Sequence, residues 1–263
     1  MAETGGNGRV VLITGASSGI GAATARRVAG PDTALLLHAR GGRDGAKVGL
    51  LEDVAAACRA RGAVAETILL DLDTSSPAAL VGETVARFGR LDQIVANAGF
   101  AQKGSFESLE RADLDRSLAM MTGGFFDLCR AARGQLEASA WGRVVAVSSF
   151  VAHVIPGGQE GGYVFPGTAA AKAAIEALAR ALAVELAPSG TTVNCVAPGF
   201  TRKEAAGHSA MGQGAWEKAA ALTPSGRIAE PDDIAGVIAF LLGRDAAHMT
   251  GQVLHVDGGL TLV

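Results

Sequence analysis

A glycine-rich segment near the start of the chain has the composition of a phosphate-binding loop. It reads Thr14-Gly15-Ala16-Ser17-Ser18-Gly19-Ile20-Gly21 and follows a short apolar run. Gly15 permits a tight turn, Gly19 lets the backbone approach an anion, and Gly21 lets a strand and a helix pack closely. We predict a helix from about Ala22, with a pyrophosphate held at its start by Gly15, Ser17, Ser18, Gly19, Ile20 and Gly21. The alternative is a plain strand–helix turn that uses the same glycines.

Two arginines after the second apolar run bear on which dinucleotide is bound. This run ends at Ala39 and is followed by Arg40 and Arg43. A site for NAD usually has a carboxylate here for the ribose 2′-hydroxyl, whereas a guanidinium suits the 2′-phosphate of NADP. We therefore predict that NADP(H) is favoured over NAD(H), with Arg40 and Arg43 as phosphate ligands. The alternative is that both arginines are solvated loop charges.

Short apolar runs alternate with amphipathic stretches along the whole chain. The predicted strands are Val10–Thr14, Ala34–His38, Thr67–Leu70, Gln93–Ala96, Val144–Val147, Val193–Val196 and Val253–Val256, and the predicted helices include Ala46–Ala60, Pro77–Phe88, Leu109–Leu136, Thr168–Leu186 and Pro231–Leu242. Continuous apolar strands between helices indicate a parallel sheet covered on both faces. The sequence predicts one α/β domain over residues 1–263. Its fold would be a doubly wound, Rossmann-type sheet of about seven strands, with ligands at the carboxyl ends of the strands.

Charge and composition narrow the classes of partner. The net charge of -3 gives no electrostatic basis for binding nucleic acid or an anionic membrane. Residues 1–8 are Gly-rich and polar, so we expect a flexible N-terminus without a signal peptide. Later apolar stretches are interrupted by charges, which predicts no membrane span. Cys58, Cys129 and Cys195 lack CxxC or metal-ligand spacing, so we expect reduced thiols, no metal site and a cytoplasmic location.

From about Val10 to Gly259 the chain resembles the short-chain dehydrogenase/reductase superfamily. Besides the glycine loop, the segments that carry the resemblance are Asp71-Leu72, Asn97-Ala98-Gly99, Val144–Ser149, Asn194–Gly199 and Gly251–Gly259. The resemblance implies that Asp71 and Leu72 lie near the adenine, that Asn97, Ala98 and Gly99 support the ribose, and that Pro198 and Gly199 flank the nicotinamide. Thr201 follows sooner than the family's threonine that contacts the nicotinamide amide. We treat Asp257–Gly259 as structural.

The catalytic positions depart from the family's pattern. The resemblance implies a serine that polarises a carbonyl, a tyrosine that protonates it, and a lysine four residues later that holds the nicotinamide ribose. Ser149 and Lys172 match the serine and lysine, but Thr168 stands at the tyrosine position, and Met121 stands where a relay asparagine is expected. A threonine hydroxyl is too weak an acid to replace a phenol near neutral pH. We therefore expect Ser149 and Thr168 to bind the substrate oxygen, and the proton to come from another group.

Tyr163, the only tyrosine of the chain, is one candidate for that group. It follows a Gly-rich insertion over residues 156–162. The arrangement resembles the 2,4-dienoyl-CoA reductase branch, in which an upstream tyrosine donates the proton. The alternatives are that Tyr163 only packs against the start of the next helix, and that His153, water or an acidic group of the substrate supplies the proton.

Three functions fit this sequence. The first is an NADPH-dependent reductase of a carbonyl, best a conjugated or aromatic ketone. The second is a conjugated enoyl thioester reductase, and the third is a scaffold that binds NADP without catalysis. Residues 200–225 are predicted to form a substrate lid. Its small and apolar residues suit a hydrophobic substrate, and they suit simple helix packing as well: Ala205, Ala206, Met211, Trp216 and Ala219. The resemblance also implies a homo-oligomer, a dimer or tetramer paired through the Ala-rich helices.

Overall fold

The computed structural model describes residues 8–41, 46–155, 164–202 and 213–263. The strands are β1 (Arg9–Thr14), β2 (Thr33–Ala39), β3 (Val64–Leu69), β4 (Gln93–Ala96), β5 (Arg143–Val147), β6 (Thr192–Pro198) and β7 (Val253–Val256). The helices are α1 (Gly19–Val28), α2 (Ala46–Arg59), α3 (Ala78–Phe88), α4 (Arg111–Ser117), α5 (Gly124–Ala138), α6 (Pro166–Leu186), α7 (Gln213–Leu222) and α8 (Pro231–Leu242). A π-helical turn, Leu118–Gly123, joins α4 to α5, and 3-10 turns cover Phe150–Ala152, Ala187–Ser189 and Leu260–Leu262.

Seven strands form one parallel sheet in the order β3-β2-β1-β4-β5-β6-β7. Successive strand residues point to opposite faces, and both faces are buried. On one face Val11, Ile13 and Leu35 pack with α1, α2 and α8. On the other face Leu12 and Leu36 pack with α3, α5 and α6. This arrangement confirms the predicted doubly wound, Rossmann-type fold.

The order of strands places a crevice beside β1. Its neighbours are β2 and β4, so the chain reverses direction across the sheet at this point. In open parallel sheets, ligands bind at such a reversal, outside the carboxyl ends of the strands. Thr14, Ala39, Ala96, Val147 and Pro198 end their strands at that edge. The fold therefore gathers the segments that carry the candidate site residues.

Several predicted element boundaries were wrong for local reasons. Helix α1 begins at Gly19 rather than near Ala22, because Ser18 is already extended and acts as its N-cap. Helix α6 begins at Pro166 rather than Thr168, since proline suits the first turn of a helix. The predicted helix over residues 109–136 is divided by the π-helical turn. Of the predicted lid, residues 203–212 lie outside the described residues, and α7 covers residues 213–222.

Among the helices that the structure describes, none has the length and apolar character required to cross a membrane.

Candidate active site

The glycine loop between β1 and α1 has the backbone shape of an anion cradle. Gly15 and Gly19 adopt positive φ angles of 69° and 55°, which favour glycine. A Cβ on Gly21 would lie 2.3 Å from the carbonyl oxygen of Gly15, so no larger residue fits there. A Cβ on Gly19 would have no atom within 4 Å, so the loop is open on that side. The start of α1 supplies N–H groups without intrahelical partners, and these residues therefore fit the pyrophosphate of a dinucleotide.

Asn97 fastens this loop to the end of β4. Its Nδ2 donates to the carbonyl oxygens of Thr14 at 2.9 Å and Gly15 at 3.1 Å. The Thr14 hydroxyl oxygen accepts from the backbone N–H groups of Asn97 and Ala98, both at 3.0 Å. The side-chain nitrogen of Asn97 thus holds the loop, and the ribose contact expected of Asn97, Ala98 and Gly99 stays a prediction.

The end of β2 carries a cluster of charges that the sequence reading only partly found. Arg40 Nη1 lies 3.8 Å from Asp73 Oδ2, and Arg116 Nη2 donates to the same oxygen at 2.8 Å. Asp71 Oδ1 accepts from the Asp73 backbone N–H at 3.1 Å, which fixes the turn after β3. Arg40 is exposed, and its ion pair with Asp73 is long at 3.8 Å, so its guanidinium can also bind a phosphate. Arg43 lies outside the described residues.

Lys172 projects from α6 toward the end of β5. Its Nζ donates to the carbonyl oxygen of Val147 at 2.6 Å, and the residue is buried. Burial lowers the pKa of Lys172 to about 8, although Cys195 and Glu176 oppose the shift. The pKa of Lys172 therefore lies close to neutral pH.

Met121 occupies the π-helical turn beside Lys172. A Cβ placed on Gly99 would lie 3.4 Å from Met121 Sδ and 3.5 Å from Lys172 Nζ, so the three residues are close neighbours. A cavity of about 20 Å³ lies at this point, and Thr14 and Lys172 are its only lining residues with polar side chains. A thioether neither donates nor carries a proton, so Met121 cannot perform the relay expected at this position.

Ser149 and Thr168 present hydroxyl groups from two separate elements. Ser149 caps the 3-10 turn Phe150–Ala152, and its oxygen accepts from the Val151 N–H at 3.4 Å. Thr168, in the first turn of α6, is buried, and its oxygen accepts from the Gln102 N–H at 3.2 Å. Both contacts use an acceptor position of the oxygen, which leaves each hydroxyl able to donate.

The ring of His153, one of the candidate proton donors, contacts Glu176 and His255. His153 Nε2 lies 2.9 Å from Glu176 Oε1, and its ring meets His255 with centroids 4.4 Å apart. Glu176 also accepts a hydrogen bond from Ser148. The sequence reading missed Glu176 and Ser148. The only signal was an acidic residue one turn beyond Lys172 on the same helix.

A buried apolar cluster begins at Phe150, the residue that follows Ser149 in the chain. The rings of Phe150 and Phe200 are 4.7 Å apart and pack with Leu260, and Trp216 and Ala219 from the predicted lid join the same cluster. The hydrophobic substrate expected from the sequence stays a prediction. Ala205, Ala206, Met211 and Tyr163 lie outside the described residues.

The segment after β6 is tightly packed against the end of β7. A Cβ on Gly199 would lie 2.7 Å from Asp257 Cα. Asp257 accepts from the N–H groups of Gly259 at 3.0 Å and Thr261 at 2.9 Å, which is the structural role expected of that segment. The Thr201 hydroxyl donates to the Gly199 carbonyl at 3.0 Å. The predicted nicotinamide contacts of Pro198, Gly199 and Thr201 stay predictions.

Comparison with known proteins gives consistent matches over almost the whole chain. A family profile described as enoyl-(acyl carrier protein) reductase matches residues 15–261. The (2S)-[(R)-hydroxy(phenyl)methyl]succinyl-CoA dehydrogenase subunit BbsD of Thauera aromatica is 36% identical, with 97% of each chain covered. The cis-4-hydroxycyclohexanecarboxylate dehydrogenase of Sinomonas cyclohexanicum is 37% identical, again with 97% of each chain covered. The 3-oxoacyl-[acyl-carrier-protein] reductase FabG of Aggregatibacter actinomycetemcomitans is 33% identical, covering 95% of this chain and 98% of its own.

Solved structures agree with these matches. A short-chain dehydrogenase/reductase from Serratia marcescens superposes with a TM-score of 0.85 at 31% identity, covering 97% of this chain and 98% of its own. The acetoin dehydrogenase YohF of Salmonella typhimurium gives a TM-score of 0.83 at 26% identity, with the same coverage.

Replacing Gly21 by alanine should weaken dinucleotide binding. The added methyl group would collide with the Gly15 carbonyl, so the loop must move away from its anion-binding shape. We expect the dissociation constant for NADPH to rise about tenfold or more, as measured by titration of nucleotide fluorescence. The matched control is Gly82→Ala in α3, where a Cβ meets nothing within 4 Å. Equal affinity of the Gly21→Ala variant and the unaltered protein would contradict this role of the loop.

Proposed function

The chain belongs to the short-chain dehydrogenase/reductase superfamily and is an NAD(P)-dependent oxidoreductase, and on this premise we propose that it is an NADPH-dependent carbonyl reductase with an atypical proton donor. The proposal rests on the buried Lys172, whose ammonium donates a hydrogen bond to the Val147 carbonyl at the end of β5. Ser149 follows Val147 by two residues. The site thus keeps a group that can place a nucleotide ribose and a group that can polarise a carbonyl.

Each of the following site residues has a part in the proposed reaction. When bound, the nicotinamide supplies hydride to the substrate carbon. Ser149 and Thr168 donate hydrogen bonds to the substrate oxygen, on which negative charge develops. Lys172 holds the ribose and adds a positive charge nearby. The glycine loop binds the pyrophosphate, and Arg40 binds the 2′-phosphate.

The missing phenol at residue 168 favours a particular kind of substrate. A conjugated or aromatic ketone spreads the developing charge over several atoms, so it needs less help from a strong acid than an isolated ketone does. The buried apolar cluster that includes Phe150 and Phe200 begins directly after Ser149, and apolar surroundings at that point would suit such a ring. The proton then comes from Tyr163, from water or from an acidic group of the substrate.

The names of the relatives support carbonyl chemistry over reduction of a double bond. Two of them are dehydrogenases of hydroxylated substrates and one is a 3-oxoacyl reductase. Reduction of a conjugated enoyl thioester remains the second proposal, because the matching family profile carries an enoyl reductase description. A nucleotide-binding protein without catalysis, the third function that fits the sequence, is not proposed, because the chain is an oxidoreductase by family and has both Lys172 and Ser149.

We further propose a cytoplasmic homodimer or homotetramer. Helix α6 exposes Val184 at 76%, and α5 exposes Phe126 at 48%. Apolar side chains on exposed helix faces suit a subunit interface. Size-exclusion chromatography with light scattering measures the assembly directly.

The function is tested by nucleotide binding followed by turnover. Purified protein is titrated with NADPH and NADH, and NADPH oxidation is then followed with aromatic ketones, saturated ketones and conjugated enoyl thioesters. We expect NADPH binding and oxidation with the ketones. Oxidation with the thioesters alone would establish the second proposal. Tight binding without turnover of any compound would contradict both proposals.

Replacing Lys172 by alanine should abolish turnover, because both the ribose anchor and the nearby charge are lost. We expect kcat/KM to fall about a thousandfold or more. In the unaltered protein the ammonium form is the active one, so the rate should fall as the pH rises through the lysine's pKa of about 8. A pH–rate profile that is flat from about pH 7 to about pH 9 would contradict this role.

The preference for NADPH should depend on Arg40. An Arg40→Ala variant loses a guanidinium that a 2′-phosphate requires and that NADH does not use. We expect its dissociation constant for NADPH to rise about tenfold while that for NADH stays unchanged. Arg27→Ala in α1 is the control, because Arg27 pairs with Asp232 on the surface. An equal effect on both nucleotides, or none, would refute the assignment.

Tyr163 separates the candidate proton sources. If its phenol donates the proton, a Tyr163→Phe variant should lose kcat by about a hundredfold with little change in nucleotide affinity. If water or the substrate is the donor, kcat should change by less than about threefold. Rates are compared at saturating NADPH with the best substrate of the panel.

A further inference from the structure

A buried carboxylate lies on the same helix as Lys172, one turn beyond it. Glu176 is only 4% exposed. Its Oε1 accepts a hydrogen bond from Ser148 Oγ and lies 2.9 Å from His153 Nε2. Removing a carboxylate from water is costly unless fixed partners compensate. The roles of Ser149, Thr168 and Lys172 do not account for this carboxylate, so its burial needs a separate reason.

The two partners of Glu176 lie on either side of Ser149 in the chain. Ser148 precedes Ser149 at the end of β5, where its N–H donates to the Val196 carbonyl at 2.7 Å. His153 ends the 3-10 turn that Ser149 begins. One carboxylate therefore holds both ends of the short segment from Ser148 to His153. Because this segment carries the Ser149 hydroxyl, Glu176 fixes the place of that hydroxyl relative to α6.

Glu176 also acts on Lys172 through its charge. The carboxylate raises the pKa of Lys172 against the larger, opposite effect of burial. The titratable groups that face Glu176 among the described residues are Lys172 on α6, His153 after β5 and Cys195 on β6. Behind His153 stands His255 on β7, whose Nδ1 is 3.9 Å from Asp257 Oδ2.

We propose that Glu176 is a positioning residue, which fixes Ser149 relative to Lys172 by holding Ser148 and His153. The inference rests on the proposed function, because Ser149 and Lys172 are the groups that it serves. A purely structural tie between α6 and β5 would explain the contacts as well, but it would not couple Glu176 to the pH dependence of the reaction.

A Glu176→Gln variant tests the proposal, since glutamine keeps the size of the side chain and removes its charge. We expect kcat to fall about tenfold, while the dissociation constant for NADPH stays within about threefold. The loss of rate at high pH should begin at a lower pH than in the unaltered protein, because Lys172 loses a charge that raises its pKa. Glu83→Gln is the matched control, because Glu83 pairs with Arg87 on the exposed face of α3 at 2.8 Å.

An unchanged kcat and pH profile in Glu176→Gln would overturn the proposal. It would also be overturned if kcat fell only in proportion to a loss of folded protein, with the pH profile unchanged. If the variant does not fold, Ser148→Ala and His153→Gln each remove one contact. Each should then lower kcat severalfold without altering NADPH affinity, and unchanged rates in both would be decisive against it. Inactivity of the unaltered protein toward every compound would instead count against the proposed function.

Discussion

The site is organised around a lysine ammonium that has been withdrawn from water. Lys172 lies in the core between α6 and β5, and an ammonium in such a place is stable only with fixed oxygen partners. The Val147 carbonyl supplies one partner directly, and Glu176 supplies charge at a distance. Both interactions depend on how α6 packs against the end of β5. Helix α6 also carries Thr168 in its first turn, and Ser149 follows β5, so the positions of both hydroxyl groups depend on how this helix and strand pack together.

Two other contacts set the geometry of the cofactor side. Asn97 ties the glycine loop to the end of β4, and Asp73 gathers Arg40 and Arg116 beyond β2 and β3. The first contact joins β1 and β4, which are distant in sequence but adjacent in the sheet, and the second joins the ends of β2 and β3 to α4. The crevice at the reversal of strand order is therefore held from both sides by polar side chains, with the apolar core beneath it.

Much of this arrangement could be predicted from the sequence, because apolar periodicity and glycine spacing are local signals. The alternation of strands and helices, the shape of the loop at Gly15–Gly21 and the parallel sheet all follow from them. The start of α1 was misplaced, since the conformation of Ser18 rather than the apolar pattern decides where that helix begins. Glu176 escaped prediction because an acidic residue in an Ala-rich helix resembles a solvated charge. Only the rotation of α6 in the fold places it inward. Asp73 was missed for a similar reason, since its partners come from two other elements.

The π-helical turn before α5 implies something about how this site tolerates changes in chain length. A π-helical turn holds one residue more than the α-helical turn that it interrupts. Each residue of an α-helix advances the side-chain direction by roughly 100°. The extra residue therefore rotates the side chains that precede it, including that of Arg116, relative to the side chains that follow it. Loss of Gly123 would leave a continuous helix with every charge and apolar side chain intact, yet Met121 and Phe125, which lie on either side of it, could no longer both line the cavity beside Lys172. In this segment the number of residues, as much as their identity, is part of the site.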